Sequence, residues 1–298
     1  MCIPKGGIAF FDSGIGGLTV LAACEKYFPG ELFYYYGDNT HAPYGNLPPE
    51  KIRQYVLEAF EKFRRLKVRA AVIACNTATA VCVEELRKKY DFPIVGAEPA
   101  VCIAAAKGGE VWVLTTRATF ESERFRLLCR RASEKFPLTK IIPIACDRLA
   151  GEIERNLLVQ NYDYTPFLPQ GSPKAIVLGC THYVYIEEWI KARYGCEIYH
   201  GNEGMARRLL TLLGASNEKS RDERPPHKKR RSILGFLTTV FHFFERKEGN
   251  DIKANKSSRI KPLNPAKNKE KPRIVFLGKR AKNNRKIYKK TYVRKSLG

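Results

Sequence analysis

Between residues 7 and 214 the chain repeats one pattern: a short apolar run, a polar or glycine-rich break, then a longer amphipathic stretch. The apolar runs are IAFF (8–11), LFYYY (32–36), AAVIA (70–74), PIVG (93–96), VWVLT (111–115), KIIPIA (140–145), AIVLG (175–179) and CEIYH (196–200). Such near-continuous runs fit strands buried on both faces. Strand–helix alternation fits parallel sheets covered by helices. LTVLAACEKYF (18–28) and PEKIRQYVLEAFEKFRRL (49–66) read as two of those helices. In the second, Ile52, Val56, Ala59, Phe60 and Phe63 recur at helical spacing while Glu, Lys and Arg take the other face.

The order of the runs repeats as well. The first ends at Asp12, and Cys75 follows 63 residues later; the run 111–114 ends before Thr115, and Cys180 follows 65 residues after that. Each unit reads strand, polar loop, helix, further strands, then strand–cysteine–helix. The expectation is α/β architecture in two similar lobes.

Ligands of parallel α/β sheets bind beyond the carboxyl ends of the strands. FFDSGIGG (10–17) puts Asp12 and Ser13 there, followed by Gly14, Gly16 and Gly17. Backbone N–H groups of such a turn suit an anion. The spacing fits neither the dinucleotide fingerprint nor the phosphate loop. A carboxylate ligand fits, and so does a plain strand–helix turn capped by Asp12. CNTAT (75–79) and CTHY (180–183) each place a cysteine at a helix start, where the dipole favours thiolate. One thiol from each lobe suggests a two-sided job: one removes a proton from a stereocentre and the other returns one to the opposite face.

Composition narrows the class further. The nine cysteines are an odd number, scattered and without a CxxC pair, which suggests neither a disulfide framework nor a zinc site. No apolar run approaches the roughly 20 residues of a membrane span. The N-terminus runs straight into a strand rather than a secretory signal. The expected location is cytoplasmic. Nothing reads as a pyridoxal phosphate site or a metal cluster, so neither cofactor nor metal is expected. The net charge of +23 is uneven: residues 215–298 hold 26 of the 53 Lys and Arg but 7 of the 30 Asp and Glu. The first 214 residues therefore have an ordinary enzyme-like balance.

FDSGIGGLTVL, GDNTHAPYG, ACNTATA, GAEPA and LGCTHY, in this order and spacing, closely resemble the glutamate racemases of the cofactor-independent aspartate/glutamate racemase family. The resemblance covers about residues 7–214. It implies two pseudo-symmetric lobes, 1–100 plus 201–214 and 101–200, with glutamate in the cleft between them, and a homodimer. It also implies D-glutamate production for peptidoglycan. Cys75 would be the acid/base on the D-glutamate side and Cys180 on the L-glutamate side, with Asp12 and His182 as helpers beside the respective thiols. Glu154 in CDRLAGEIE matches the family's further carboxylate, though Glu152 is close enough to leave the alignment open. Substrate contacts carry over to Asp12, Ser13, Tyr44, Gly45, Asn76, Thr77, Thr181 and His182. Thr119 carries over too, beside an Ala118 that replaces the family's usual glycine. His41 stands where arginine is frequent, and Val184–Tyr185 leave the usual wording just past the second thiol. A racemase for another amino acid, or a regulatory protein retaining the pocket, are the rival readings.

Residues 215–298 fall outside the resemblance. They read as a mostly disordered appendage, because their charge leaves little apolar surface to offset ordering entropy. They contain an apolar island (232–244) and two strand-like pieces, 273–278 and 287–293. An anionic membrane or non-specific nucleic acid are the candidate partners of this extension. Its removal is expected to leave catalysis intact.

Overall fold

The computed structural model describes residues 6–219, 273–278 and 280–293. Alternate residues of its first strand, β1 (Ile8–Asp12), enter different layers. Ile8 and Phe10 pack with Leu18 and Leu21 of α1 (Leu18–Glu25). Ala9 and Phe11 pack on the other side with α2 (Pro49–Arg65) and α3 (Asn76–Lys89). This is why the strand is apolar throughout: each face has its own helical cover. Residues 32–37 form β2, 70–73 β3 and 94–96 β4. α2 presents the predicted stripe, with Ile52, Val56, Ala59, Phe60 and Phe63 all buried.

The second lobe repeats this layering. Its helices are α4 (Val101–Ala105), α5 (Arg117–Phe120), α6 (Glu123–Lys135), α7 (Leu149–Asn156) and α8 (Glu187–Tyr194). Its strands are β5 (Gly109–Thr115), β6 (Thr139–Ala145), β7 (Ala175–Leu178) and β8 (Glu197–His200). Val111, Val113, Ala175 and Val177 face α4 and α6. Trp112, Leu114, Ile176 and Leu178 face α7 and α8. Ser122 caps α6 by accepting from Phe125 N–H at 3.2 Å, and α8 stops at Gly195 in the left-handed conformation.

All strand pairs are parallel, and the second sheet runs β6-β5-β7-β8. The first runs β4-β3-β1-β2 in the equivalent order, so β3 and β7, the strands before Cys75 and Cys180, hold equivalent places. The chain crosses between lobes near 97–100 and again at Gly201. A Cβ on Gly201 would sit 2.4 Å from the Glu98 carbonyl oxygen, so the two crossings touch. α9 (Asn202–Lys219) then returns to the first lobe and buries Met205, Ala206 and Leu209 against the β1–α1 layer.

The first sheet has a fifth strand that the repeat does not predict. β9 (Arg273–Leu277) pairs with β2 from Leu32↔Arg273 to Tyr36↔Leu277. α10 (Ala281–Tyr288) folds back over it and buries Asn284, Ile287 and Tyr288. Phe276 packs against Tyr35 and Tyr288, with ring centroids 6.0 Å away in both cases. The expectation of a mostly disordered appendage therefore fails for 273–278 and 280–293. Their apolar residues, diluted among Lys and Arg in the sequence, fall on one face and cover the β2 edge. The apolar island 232–244, and the expected membrane or nucleic-acid contacts with it, lie outside the described residues. Among the described residues no helix is long and apolar enough to cross a membrane.

Candidate active site

Asp12 ends β1 and is fully buried. One carboxylate oxygen accepts from Gly14 N–H at 3.0 Å, and the other accepts from the Thr181 hydroxyl, across the cleft, at 3.1 Å. Burial raises its pKa, against the charge of His182. The neighbouring Ile15 N–H donates to Glu154, also across the cleft, at 3.1 Å. Two N–H groups of the glycine loop thus face the protein's own carboxylates.

The glycines of this loop make room for the second lobe. A Cβ on Gly14 would lie 2.4 Å from a Glu154 oxygen, and one on Gly16 would lie 2.3 Å from the Thr181 hydroxyl oxygen. Gly45 meets the same limit, 2.8 Å from the Thr116 Cβ. None of these three has a positive φ, so it is the closeness of the lobes that demands glycine here.

Cys75 caps α3, its Sγ accepting from Ala78 N–H at 3.4 Å and lying 3.6 Å from the Ser13 hydroxyl. Its thiol is nevertheless pushed up to about 12, first by burial and then by the Asp12 charge. The expectation that the helix dipole favours thiolate at Cys75 is overturned: desolvation outweighs it. Cys180 also differs from expectation, since a 3-10 turn (Thr181–Ile186), not an α-helix, follows it. Its partner is a side chain: His182 Nδ1 lies 3.8 Å from Sγ. The other ring nitrogen of His182 meets Glu154 at 2.5 Å. Burial works against charge on His182, but the Cys180 and Glu154 contacts hold its pKa well above the ordinary value. Burial likewise opposes charge on Glu154, yet His182, Ile15 N–H and the Asn39 amide (2.6 Å) hold it below the usual range. The two form a buried imidazolium–carboxylate pair, with Nδ1–H left to donate towards Cys180 Sγ.

Both thiols line one cavity enclosing about 270 Å³ of non-atom space, together with Ser13, Tyr44, Gly45, Asn76, Thr77, Thr181 and His182. Glu154 lies behind His182. Glu152 is turned away and receives the Tyr162 hydroxyl at 2.7 Å, so of the two carboxylates only Glu154 is at the cleft. The Tyr44 hydroxyl donates to Asp38 at 2.6 Å. His41, at the position where arginine is frequent, also meets Asp38 (2.8 Å) and stacks on Tyr55 at 3.8 Å. Asn76 Oδ1 is buried without a hydrogen-bond partner. Thr119 does not line the cavity but is buried beside it, bonded to Thr77 at 3.2 Å.

Sequence reasoning missed Thr116 and Asn39. Thr116 lines the cavity and meets Thr77 at 2.9 Å. It follows the end of β5 as Ser13 follows β1, so the internal repeat carried its signal. Asn39 sits inside the GDNTHAPYG motif and holds Glu154.

Two parallel α/β lobes, each presenting a strand-end thiol to a shared buried cleft, define a two-lobed α/β enzyme with its site at the lobe interface. Residues 19–209 match the Asp/Glu/Hydantoin racemase family. A glutamate racemase of Clostridium perfringens is 37% identical over 231 residues, covering 73% of this chain and 86% of that protein. One of Clostridium botulinum is 36% identical over 235 residues, 75% and 90% of the two chains. The structure of Escherichia coli glutamate racemase with L-glutamate and the activator UDP-MurNAc-ala is 28% identical, with TM-score 0.63 over 77% of this chain and 87% of that one. The fold of glutamate racemase from Campylobacter jejuni, 22% identical, also reaches 0.63 and covers 95% and 97%. The chain belongs to the Asp/Glu/Hydantoin racemase family and is an amino-acid racemase.

Proposed function

We propose that this racemase interconverts L- and D-glutamate by proton transfer between two cysteines. The observation that carries the reading is that Cys75 and Cys180, from opposite lobes, line the same cavity. With L-glutamate bound, the Cys180 thiolate, faced by His182 Nδ1–H, takes the α-proton and becomes a thiol. The resulting planar carbanion takes the Cys75 proton on its other face, giving D-glutamate and a Cys75 thiolate. The reverse reaction starts from that thiolate. Burial and the Asp12 charge oppose it, and the substrate ammonium beside Asp12 offsets that charge. Ser13, Asn76, Thr77 and Thr181 supply donors for the two substrate carboxylates. No fixed cation is needed, and exclusion of water strengthens each contact. The family resemblance assigns the D-glutamate to peptidoglycan.

Incubation in deuterium oxide with each enantiomer of glutamate and aspartate tests the reading. The expected result is exchange of the α-hydrogen of both glutamate enantiomers, much faster than with aspartate. Absence of glutamate exchange, or faster exchange on aspartate, refutes it.

A further inference from the structure

Tyr185 lies three residues past His182, at the point where the chain leaves its family's wording. Its hydroxyl donates to the Ile15 carbonyl oxygen at 2.8 Å. The N–H of the same residue donates to Glu154, which pairs with His182. The preceding carbonyl, of Gly14, accepts from the Tyr35 hydroxyl at 2.8 Å. The glycine loop is therefore held through its carbonyls from one side and its N–H groups from the other.

The hydroxyls of Tyr185 and Tyr292 are also hydrogen-bonded to each other. A phenol has one proton, and that of Tyr185 is committed to Ile15. Tyr292 is therefore the donor to Tyr185. Tyr292 packs on Tyr288 with ring centroids 5.5 Å apart, and the Tyr288 hydroxyl donates to Glu25 at the end of α1. The segment that carries Tyr292 is anchored further by Asn284, fully buried with its amide nitrogen 2.7 Å from where a Cβ on Gly37 would lie.

We propose that Tyr185 and Tyr292 are positioning residues: a two-hydroxyl relay through which the C-terminal segment fixes the Ile15 backbone and its contact with Glu154. Only the kinetic part of the test rests on the glutamate reading. Tyr185→Phe and Tyr292→Phe keep both rings and remove the hydroxyls. Amide hydrogen exchange at residues 13–17 of the full chain without substrate should rise about tenfold in Tyr185→Phe and about threefold in Tyr292→Phe, the loss expected for one buried hydrogen bond. The double variant should match Tyr185→Phe alone, since the hydroxyls act in series. In glutamate turnover, kcat should fall by similar factors with KM within about twofold. The acidic limb of kcat/KM should move up in pH, because a loosened Ile15 N–H lowers Glu154 less. Unchanged exchange at 13–17 in both single variants overturns the proposal, as does a double variant equal to the product of the singles. If Tyr185→Phe does not fold, Tyr292→Phe alone decides by the same readout. A loop response in a protein that exchanges no α-proton of glutamate supports the relay and refutes the substrate reading instead.

Discussion

Replacing Gly16 with alanine puts a methyl group where the other lobe already stands. The new Cβ would lie 2.3 Å from Thr181 Oγ1, 2.7 Å from His182 Nδ1 and 2.9 Å from His182 N. Ordinary contact begins near 3.4 Å. Thr181 cannot simply rotate away, because its hydroxyl is bonded to Asp12. The His182 N contact is to backbone. The glycine loop and the 181–186 turn must then separate by about 1 Å, and a 1 Å misplacement at reacting groups costs about 100-fold in rate. That is about 2.7 kcal/mol of transition-state stabilisation. Stability should fall by about 1–3 kcal/mol, as for an overpacked core. Gly204→Ala in α9, with open space around its Cβ, should leave activity unchanged and stability equal or higher by up to about 1 kcal/mol. Circular dichroism would follow racemisation in both directions, and calorimetry the melting temperatures. A Gly16→Ala enzyme within threefold of wild type would show that glycine is not there to let the lobes meet.

Three further outcomes follow from the same contacts. Cys75→Ser and Cys180→Ser should each lower racemisation at least about 100-fold with little change in melting temperature, and full turnover by either variant refutes the two-thiol mechanism. Glu154→Gln strands the His182 charge and should destabilise the protein by about 3–5 kcal/mol. Glu154, held below its ordinary 4.5, stabilises the fold above that pH and loses the effect as pH falls through its lowered value. His182, held above its ordinary 6.5, contributes fully below that pH and loses the effect as pH rises through its raised value. The melting difference between wild type and Glu154→Gln should therefore be largest between those limits, and a pH-independent difference refutes the ion pair. Truncation after residue 272 uncovers the β2 edge and removes Ile287 and Tyr288 from the core at about 1.5–3 kcal/mol each. Denaturant unfolding should show that loss, against the sequence-based expectation of a dispensable extension.

Most of the two-lobed frame was legible because its signals are local. Apolar runs of four to seven residues mark strands, and the Ile52–Phe63 stripe marks a helix, whatever they later pack against. The repeat was legible because equivalent strands end in the same kind of residue, Asp12–Ser13 against Thr115–Thr116 and Cys75 against Cys180. β9 was harder to read: IVF is a short run inside the most basic part of the chain, and only pairing with β2 gives it a buried face. Composition over a long window averaged that run away.

The glycine loop shows why site residues can be found without their physics. A helix-start glycine turn suggests anion binding, and its N–H groups do face carboxylates, but those belong to Asp12 and Glu154. Contacts between residues 139 positions apart leave no local periodicity to read. The same holds for charge. Position at a helix start predicted a lowered Cys75 pKa, while full burial beside Asp12 raises it to about 12. The sign was set by what the second lobe and the strand end bring within reach of the thiol. For this site the informative quantity is therefore the distance between lobes. The glycines at 14, 16 and 45 are tuned to that distance, and the Gly16 substitution tests it most directly.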